Sequence, residues 1–179
     1  MVKSDFKFKI CLLGEGSVGK TSLVYRFIED KFHEDYKATL GVNILQKHLE
    51  IDDYSISANI WDLGGQDTFE NLRKLYLEGS EGALIIFDLT DRTSFEKLGT
   101  WIRDFREHRE EKPFCLIGNK ADLKDQILVK EEEASLLAKE YGVNLIITSA
   151  KTGENVEKAF VNLIKNILEK IVKELAIAE

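Results

Sequence analysis

The chain has 179 residues, of which 44% are hydrophobic and 32% charged, with a formal net charge of −7. This size predicts one domain, residues 1–179, large enough to bury most of its apolar surface, and the acidic balance excludes broad nucleic-acid binding, which needs a basic face. No apolar run reaches the roughly 20 residues of a membrane-spanning helix and the start shows no secretory-signal pattern, so a cytoplasmic protein is expected.

Residues 6–13 read as a buried strand. The stretch that follows, Gly14-Glu15-Gly16-Ser17-Val18-Gly19-Lys20-Thr21, reads G-x-x-x-x-G-K-T and is a phosphate-binding loop pattern. Its glycines let the backbone curl with N–H groups turned inward. Residues 20–29 carry apolar side chains at helical spacing, and a helix starting there adds the positive end of its dipole. Lys20 supplies a point charge for the outer phosphates, and the Thr21 hydroxyl suits Mg²⁺. Residues 29–39 have weak periodicity and read as a loop. Residues 41–51 and 55–62 read as an antiparallel hairpin turning at Asp52-Asp53. Residues 63–79 read as an irregular loop entering a short helix.

Gly82 to Asp88 is a continuous apolar run, as expected of a strand covered on both faces. Thr93 and Glu96 have capping-box spacing, and one helix is expected to follow with Phe95, Leu98, Trp101, Ile102 and Phe105 on its inner face. Pro113 closes the connection, and Phe114 to Gly118 is the next strand. Glu131, Glu132 and Glu133 suit the first turn of a helix, with Ala134, Leu137, Ala138 and Tyr141 inward. Leu145 to Thr148 is a short last strand, and a helix runs from about Glu154 to Leu175. Cys11 and Cys115 lie in apolar runs and are expected as buried thiols. His33, His48 and His108 lack metal-ligand spacing and are expected at the surface or in loops. Strands alternating with helices predict an α/β fold with a mostly parallel sheet. Ligands of such sheets bind at the carboxyl ends of the strands.

Three further motifs fall there. Asp62, in Trp61-Asp62-Leu63-Gly64-Gly65-Gln66, ends an apolar strand, where a carboxylate is costly unless it is used. Beside phosphates it suits a metal held through water. Gly65 lets a backbone N–H approach a terminal phosphate, and Gln66 can accept from an attacking water while donating to the transferring group. In Asn119-Lys120-Ala121-Asp122, the Asp122 carboxylate can accept from N1–H and the 2-amino group of guanine, which adenine cannot offer. The Lys120 stem can lie over a ring face. In Thr148-Ser149-Ala150-Lys151, the small Ala150 lets a backbone N–H approach a base carbonyl.

Together with Thr39 in Ala38-Thr39-Leu40-Gly41, these motifs occur in the order and spacing of Ras-superfamily small GTPases, and the resemblance covers essentially the whole chain. It implies a P-loop NTPase three-layer α/β fold: a mostly parallel six-stranded sheet with one antiparallel edge strand and helices on both faces. It also implies Mg²⁺ as cofactor and GTP and GDP as substrate and product. By resemblance, Gly16, Ser17, Val18, Gly19 and Lys20 cradle the phosphates, with Ser22 beside them. Thr21 ligates Mg²⁺, joined by Thr39 when GTP is bound, and Asp62 holds the metal through water. Gly65 senses the γ-phosphate, and Gln66, Lys20 and Thr39 form the catalytic set. Phe32 packs on the guanine edge, and Asn119, Lys120, Asp122, Ser149, Ala150 and Lys151 hold the base.

Residues 32–41 and 63–79 become switches, and effector, activating and exchange proteins are expected at 32–44 and 63–79. Leu40-Gly41-Val42 and Trp61-Asp62 look most like the Rab and Ras-like branches, which carry signalling and vesicle trafficking. Gly64-Gly65-Gln66 is more like the Arf branch, yet Val2 leaves no glycine for myristoylation. Where Rab effectors read an aromatic triad, this chain has Ile44, Trp61 and Tyr76. Residues 175–179 hold no cysteine for prenylation, so no lipid anchor is visible. Membrane association would then come through partners or a further C-terminal tail. The expected function is a monomeric GTP-binding switch with slow hydrolysis. Arg26 and Arg73 are the arginines to consider for a role in cis. The alternatives are a nucleotide-locked signalling module and a P-loop nucleotide kinase.

Overall fold

The computed structural model describes residues 4–34, 41–64 and 70–178. In chain order these form β1 (Ser4–Leu13), α1 (Lys20–Glu29), β2 (Val42–Ile51), β3 (Tyr54–Leu63), α2 (Glu70–Leu77), β4 (Gly82–Asp88), α3 (Arg92–Glu96), α4 (Leu98–His108), β5 (Phe114–Asn119), α5 (Glu131–Tyr141), β6 (Leu145–Ile147) and α6 (Val156–Ala178), with a 3₁₀ turn at Lys124–Gln126. The strands make one sheet in the order β2-β3-β1-β4-β5-β6. β1 pairs in parallel with β3 and β4, and β4-β5 and β5-β6 are parallel as well. β2 runs antiparallel on the edge, joined to β3 by the turn in which Asp52 takes φ 53°. This is the mixed six-stranded α/β sheet that the sequence pattern predicted.

Alternation along β1 divides the interior in two, because successive side chains of a strand face opposite ways. Phe8, Ile10 and Leu12 join α1 and α6 on one face, where the rings of Phe27 and Phe160 stack 4.3 Å apart. Cys11 and Leu13 join residues of α2, α4 and α5 on the other. β4 and β5 are buried along their whole lengths, as central strands covered on both faces must be. Both cysteines are free and buried, and the three histidines are exposed. No helix among the described residues is long and apolar enough to cross a membrane.

The helix after β4 departs from expectation in two ways. Its cap is Asp91, whose Oδ1 accepts from the Thr93 N–H at 3.0 Å, so Thr93 lies inside the first turn and forms no capping box. The aspartate two positions earlier caps a different amide, that of Thr93 itself, and Glu96 pairs with Arg92 at 3.6 Å. The helix is also split at Lys97, between α3 and α4, while Leu98, Trp101, Ile102 and Phe105 keep the buried face intact. α6 begins at Val156, later than expected, because Asn155 is left-handed at φ 55° with its side-chain amide on the Ile147 carbonyl at 2.9 Å.

Candidate functional site

The carboxyl ends of β1, β3, β4, β5 and β6 carry the predicted motifs. The loop from Gly14 to Gly19 leaves β1 and enters α1 directly. Gly14 takes φ 143°, and a Cβ there would lie 2.2 Å from the Ile86 carbonyl oxygen; Gly19 takes φ 100°, and a Cβ would lie 2.3 Å from Asn119 Nδ2. Both positions therefore need glycine for conformation and for room. Gly16 has no neighbour within 4 Å of an added Cβ, and Gly16 and Ser17 are exposed on the loop's rim. Lys20 is buried and turns back across the loop, donating to the Gly14 and Glu15 carbonyls at 2.8 and 2.6 Å. Burial pushes its ammonium down to about 8, while the Asp62 and Glu15 carboxylates pull the other way.

Asp62, the penultimate residue of β3, has no exposed surface, and its Oδ2 accepts from the Thr21 hydroxyl at 2.5 Å. These are the two described oxygens expected for Mg²⁺, drawn together across 41 positions of sequence. A hydroxyl beside a buried carboxylate is a hard-oxygen pair of the kind Mg²⁺ accepts, so the residues present fit the ion. Ser22 follows Thr21 in the first turn of α1 and is half-buried. Phe32 is half-buried against the core beneath α1. Thr39, Gly65 and Gln66 lie outside the described residues.

The base motifs converge on the same loop. Asn119 is buried at the end of β5; its Nδ2 donates to the Val18 carbonyl at 3.0 Å. Its Oδ1 accepts from the Thr148 hydroxyl at 3.0 Å and the Ala150 N–H at 3.2 Å. One side chain thus joins the phosphate loop to the segment after β6. Asp122 is oriented by the Ser149 hydroxyl at 2.7 Å. Lys120, left-handed at φ 67°, stretches over the loop to the Ser17 carbonyl at 2.8 Å and the Asp88 carboxylate at 2.6 Å. Lys151 is exposed, its ammonium 3.8 Å from Glu34.

The family model described as Ras family matches residues 9–169. The chain belongs to the Ras family. Among curated relatives of this Ras-family chain are "Ras-related protein Rab-8B" of Homo sapiens and of Pongo abelii, each 36% identical over 172 residues, covering 96% of this chain and 83% of theirs. "Ras-related protein Rab-8" of Diplobatis ommata is also 36% identical, over 96% of this chain and 82% of its own. The chain is a small GTPase of Rab-like type.

Two residues of this Ras-family site escaped the sequence reading. Asp88, at the end of β4, holds Lys120 and also accepts from the Thr90 N–H and hydroxyl at 2.8 and 2.7 Å. A carboxylate closing an apolar strand was the signal already used for Asp62, and it applied here too. The Glu15 carboxylate accepts from the Trp101 indole N–H at 2.8 Å and from Lys97 at 3.2 Å, tying the phosphate loop to α4. No sequence pattern announces that pairing. Arg26, considered for a role in cis, spends its guanidinium on the Ala150 and Lys151 carbonyls at 2.8 and 2.6 Å. Arg73 stacks on Trp101, 4.3 Å from its ring centre, and pairs with Asp104.

Proposed function

We propose that this single domain is a Rab-like molecular switch that binds GTP with Mg²⁺, hydrolyses it slowly to GDP and phosphate, and acts in vesicle trafficking. The observation that carries the reading is Asn119, which links Val18 of the phosphate loop to Thr148 and Ala150 and so gathers phosphate and base motifs into one site. In this reading Gly16, Ser17, Val18, Gly19 and Lys20 hold the phosphates, with Ser22 beside them. Asn119, Lys120, Asp122, Ser149, Ala150 and Lys151 hold guanine, and Phe32 lies on its edge. Thr21 and Asp62 hold Mg²⁺, joined by Thr39, and the ion offsets charge on the phosphate oxygens when bound. Lys20 leaves its loop carbonyls for the β- and γ-phosphates, and the loop amides stabilise the charge that builds in the transition state. Gln66 orients the attacking water, and the Gly65 N–H meets the γ-phosphate.

Neither Arg26 nor Arg73 is available to the reacting phosphate, since each guanidinium is engaged elsewhere. Sites of this type without an arginine finger turn over at about 10⁻⁴–10⁻³ per second, so the protein depends on an external activating partner. Effectors meet the surface where Ile44, exposed on β2, stands opposite Trp61 on β3, with Tyr76 6.5 Å from Trp61. The test is single-turnover hydrolysis of bound GTP by the wild type and Gln66→Leu. A slow wild-type rate that falls at least tenfold in the variant supports the switch. A rate near 1 per second overturns the dependence on a partner, and equal negligible rates favour the nucleotide-locked alternative.

A further inference from the structure

Arg26 lies on α1, the helix whose first residues close the phosphate loop, yet its contacts are on the far side of the chain. Nε donates to the Ala150 carbonyl at 2.8 Å and Nη2 to the Lys151 carbonyl at 2.6 Å, across 124 and 125 positions of sequence. Nη1 is fixed by Asp30, through its carbonyl at 3.2 Å and its carboxylate at 3.1 Å. Asp30 can offer both because it caps α1 in a left-handed conformation, φ 53°. All three guanidinium nitrogens are therefore engaged, and the planar fork meets two consecutive backbone carbonyls, a geometry that a single ammonium cannot reproduce. The arginine stem packs beside Gly153, where an added Cβ would come within 3.5 Å of Arg26 Cδ.

The clamped segment also meets the base motif. The Ala150 N–H bonds Asn119, and Ser149 orients Asp122. A peptide plane is rigid and trans, so its C=O and N–H point opposite ways. With the Ala150 carbonyl turned to Arg26, the Lys151 N–H is turned away from α1. With the Lys151 carbonyl also held, two successive peptide planes lose their freedom to rotate.

Resting on the function proposed above, we propose that Arg26 is a positioning residue for base recognition. It locks the 150–151 backbone to the helix that carries the phosphate loop and so sets the spacing between the phosphate and base halves of the site. Slow release of nucleotide and discrimination at the 6-position of the purine both follow from that spacing. Arg26 takes no part in hydrolysis.

The experiment compares wild type, Arg26→Ala and Arg26→Lys, each loaded with GDP or GTP and Mg²⁺. Loss of two charge-assisted bonds should speed GDP release by about 10- to 100-fold in Arg26→Ala, and by less in Arg26→Lys. The preference for GDP over the diphosphate of 2,6-diaminopurine riboside, which carries an amino group in place of the 6-carbonyl and an acceptor in place of N1–H, should narrow at least tenfold. Single-turnover hydrolysis of bound GTP should stay within twofold of wild type. If Arg26→Ala does not fold, the graded change in Arg26→Lys carries the same comparison. Unchanged release and discrimination overturn the clamp. So does a lower thermal midpoint with discrimination intact, which makes Arg26 structural only. A fall in hydrolysis with release unchanged overturns it in favour of a catalytic arginine. A wild type that fails to hold guanine nucleotide overturns the proposed function itself, whereas a wild type that holds it beside an indistinguishable Arg26→Ala overturns the clamp alone.

Discussion

Two glycines of one loop should answer the same substitution in opposite ways. Gly19 is left-handed, and a Cβ would strike Asn119 Nδ2 at 2.3 Å. Gly19→Ala should cost about 1–3 kcal/mol for the backbone alone, and more once Asn119 is displaced from Val18. A lower midpoint in thermal unfolding and loss of guanine-nucleotide binding are expected together. Gly16 has open space and an ordinary backbone. Gly16→Val should leave stability within about 0.5 kcal/mol and slow only the hydrolysis stimulated by an activating protein. A large stability loss in Gly16→Val would falsify the open-rim geometry. At this scale the sequence was legible where chemistry dictates residue type: Lys20, Thr21, Asp62 and Asp122 were singled out for the phosphate, metal and base chemistry their residue types suit and Asn119 by resemblance, and the structure gathers them at one end of the sheet. Glu15, Asp88 and Arg26 were less so, because their importance lies in destinations 86, 32 and 124 residues away, and no local pattern encodes a distant partner.

α1 matters as a strut between the phosphate loop and the last helix. Phe27 and Phe160 stack with an interplanar angle of 1°, and both are buried between α1 and α6. Phe160→Ala should destabilise the protein by about 3–5 kcal/mol, measured by denaturant unfolding of the nucleotide-bound form. A cost under about 1 kcal/mol would show that the two helices can close the gap. Element positions followed from hydrophobic period, since runs such as Gly82–Asp88 leave little choice. Element ends did not. Asp91 and Thr93 are both good caps, and only the path of the chain out of β4 decides between them. The break at Lys97 was equally hidden, because the buried stripe of Leu98, Trp101, Ile102 and Phe105 runs on beyond it.

Across the whole molecule the sheet separates two interiors, and each contains one thiol. Cys115 belongs to the layer with α1 and α6, Cys11 to the layer with α2, α4 and α5. Burial pushes the Cys11 thiol up to about 11 and Cys115 to about 12. The thiolate is the reactive form, so in the native state near pH 8 both should resist maleimide, and reactivity should rise only as pH approaches those values. If residues 1–179 fold as one cooperative domain, both thiols become labelled through the same global opening and at one rate. Clearly different protection, read by mass spectrometry of the labelled peptides, would mean the layers open separately. The layered topology was legible because alternating strands and helices force crossovers in a mostly parallel sheet. Two-sided burial is what erased detail, since continuous apolar runs do not say which residue faces which layer.

The contact between Trp101 and Glu15 has an optical consequence. The chain has two tryptophans. The Trp101 indole lies between the carboxylate of the phosphate loop and the Arg73 guanidinium, while Trp61 lies 3.7 Å under the Lys9 ammonium beside Asp62. Fixed charges around an indole tune its emission, so the protein carries two native fluorophores that read different events. Nucleotide exchange displaces charge at the loop and should shift the Trp101 signal, which Trp61→Phe isolates. A partner docking over Ile44 and Tyr76 should quench or shift Trp61, which Trp101→Phe isolates. The switch then reports its own state in unlabelled protein, one wavelength trace for the nucleotide and another for whatever binds above it.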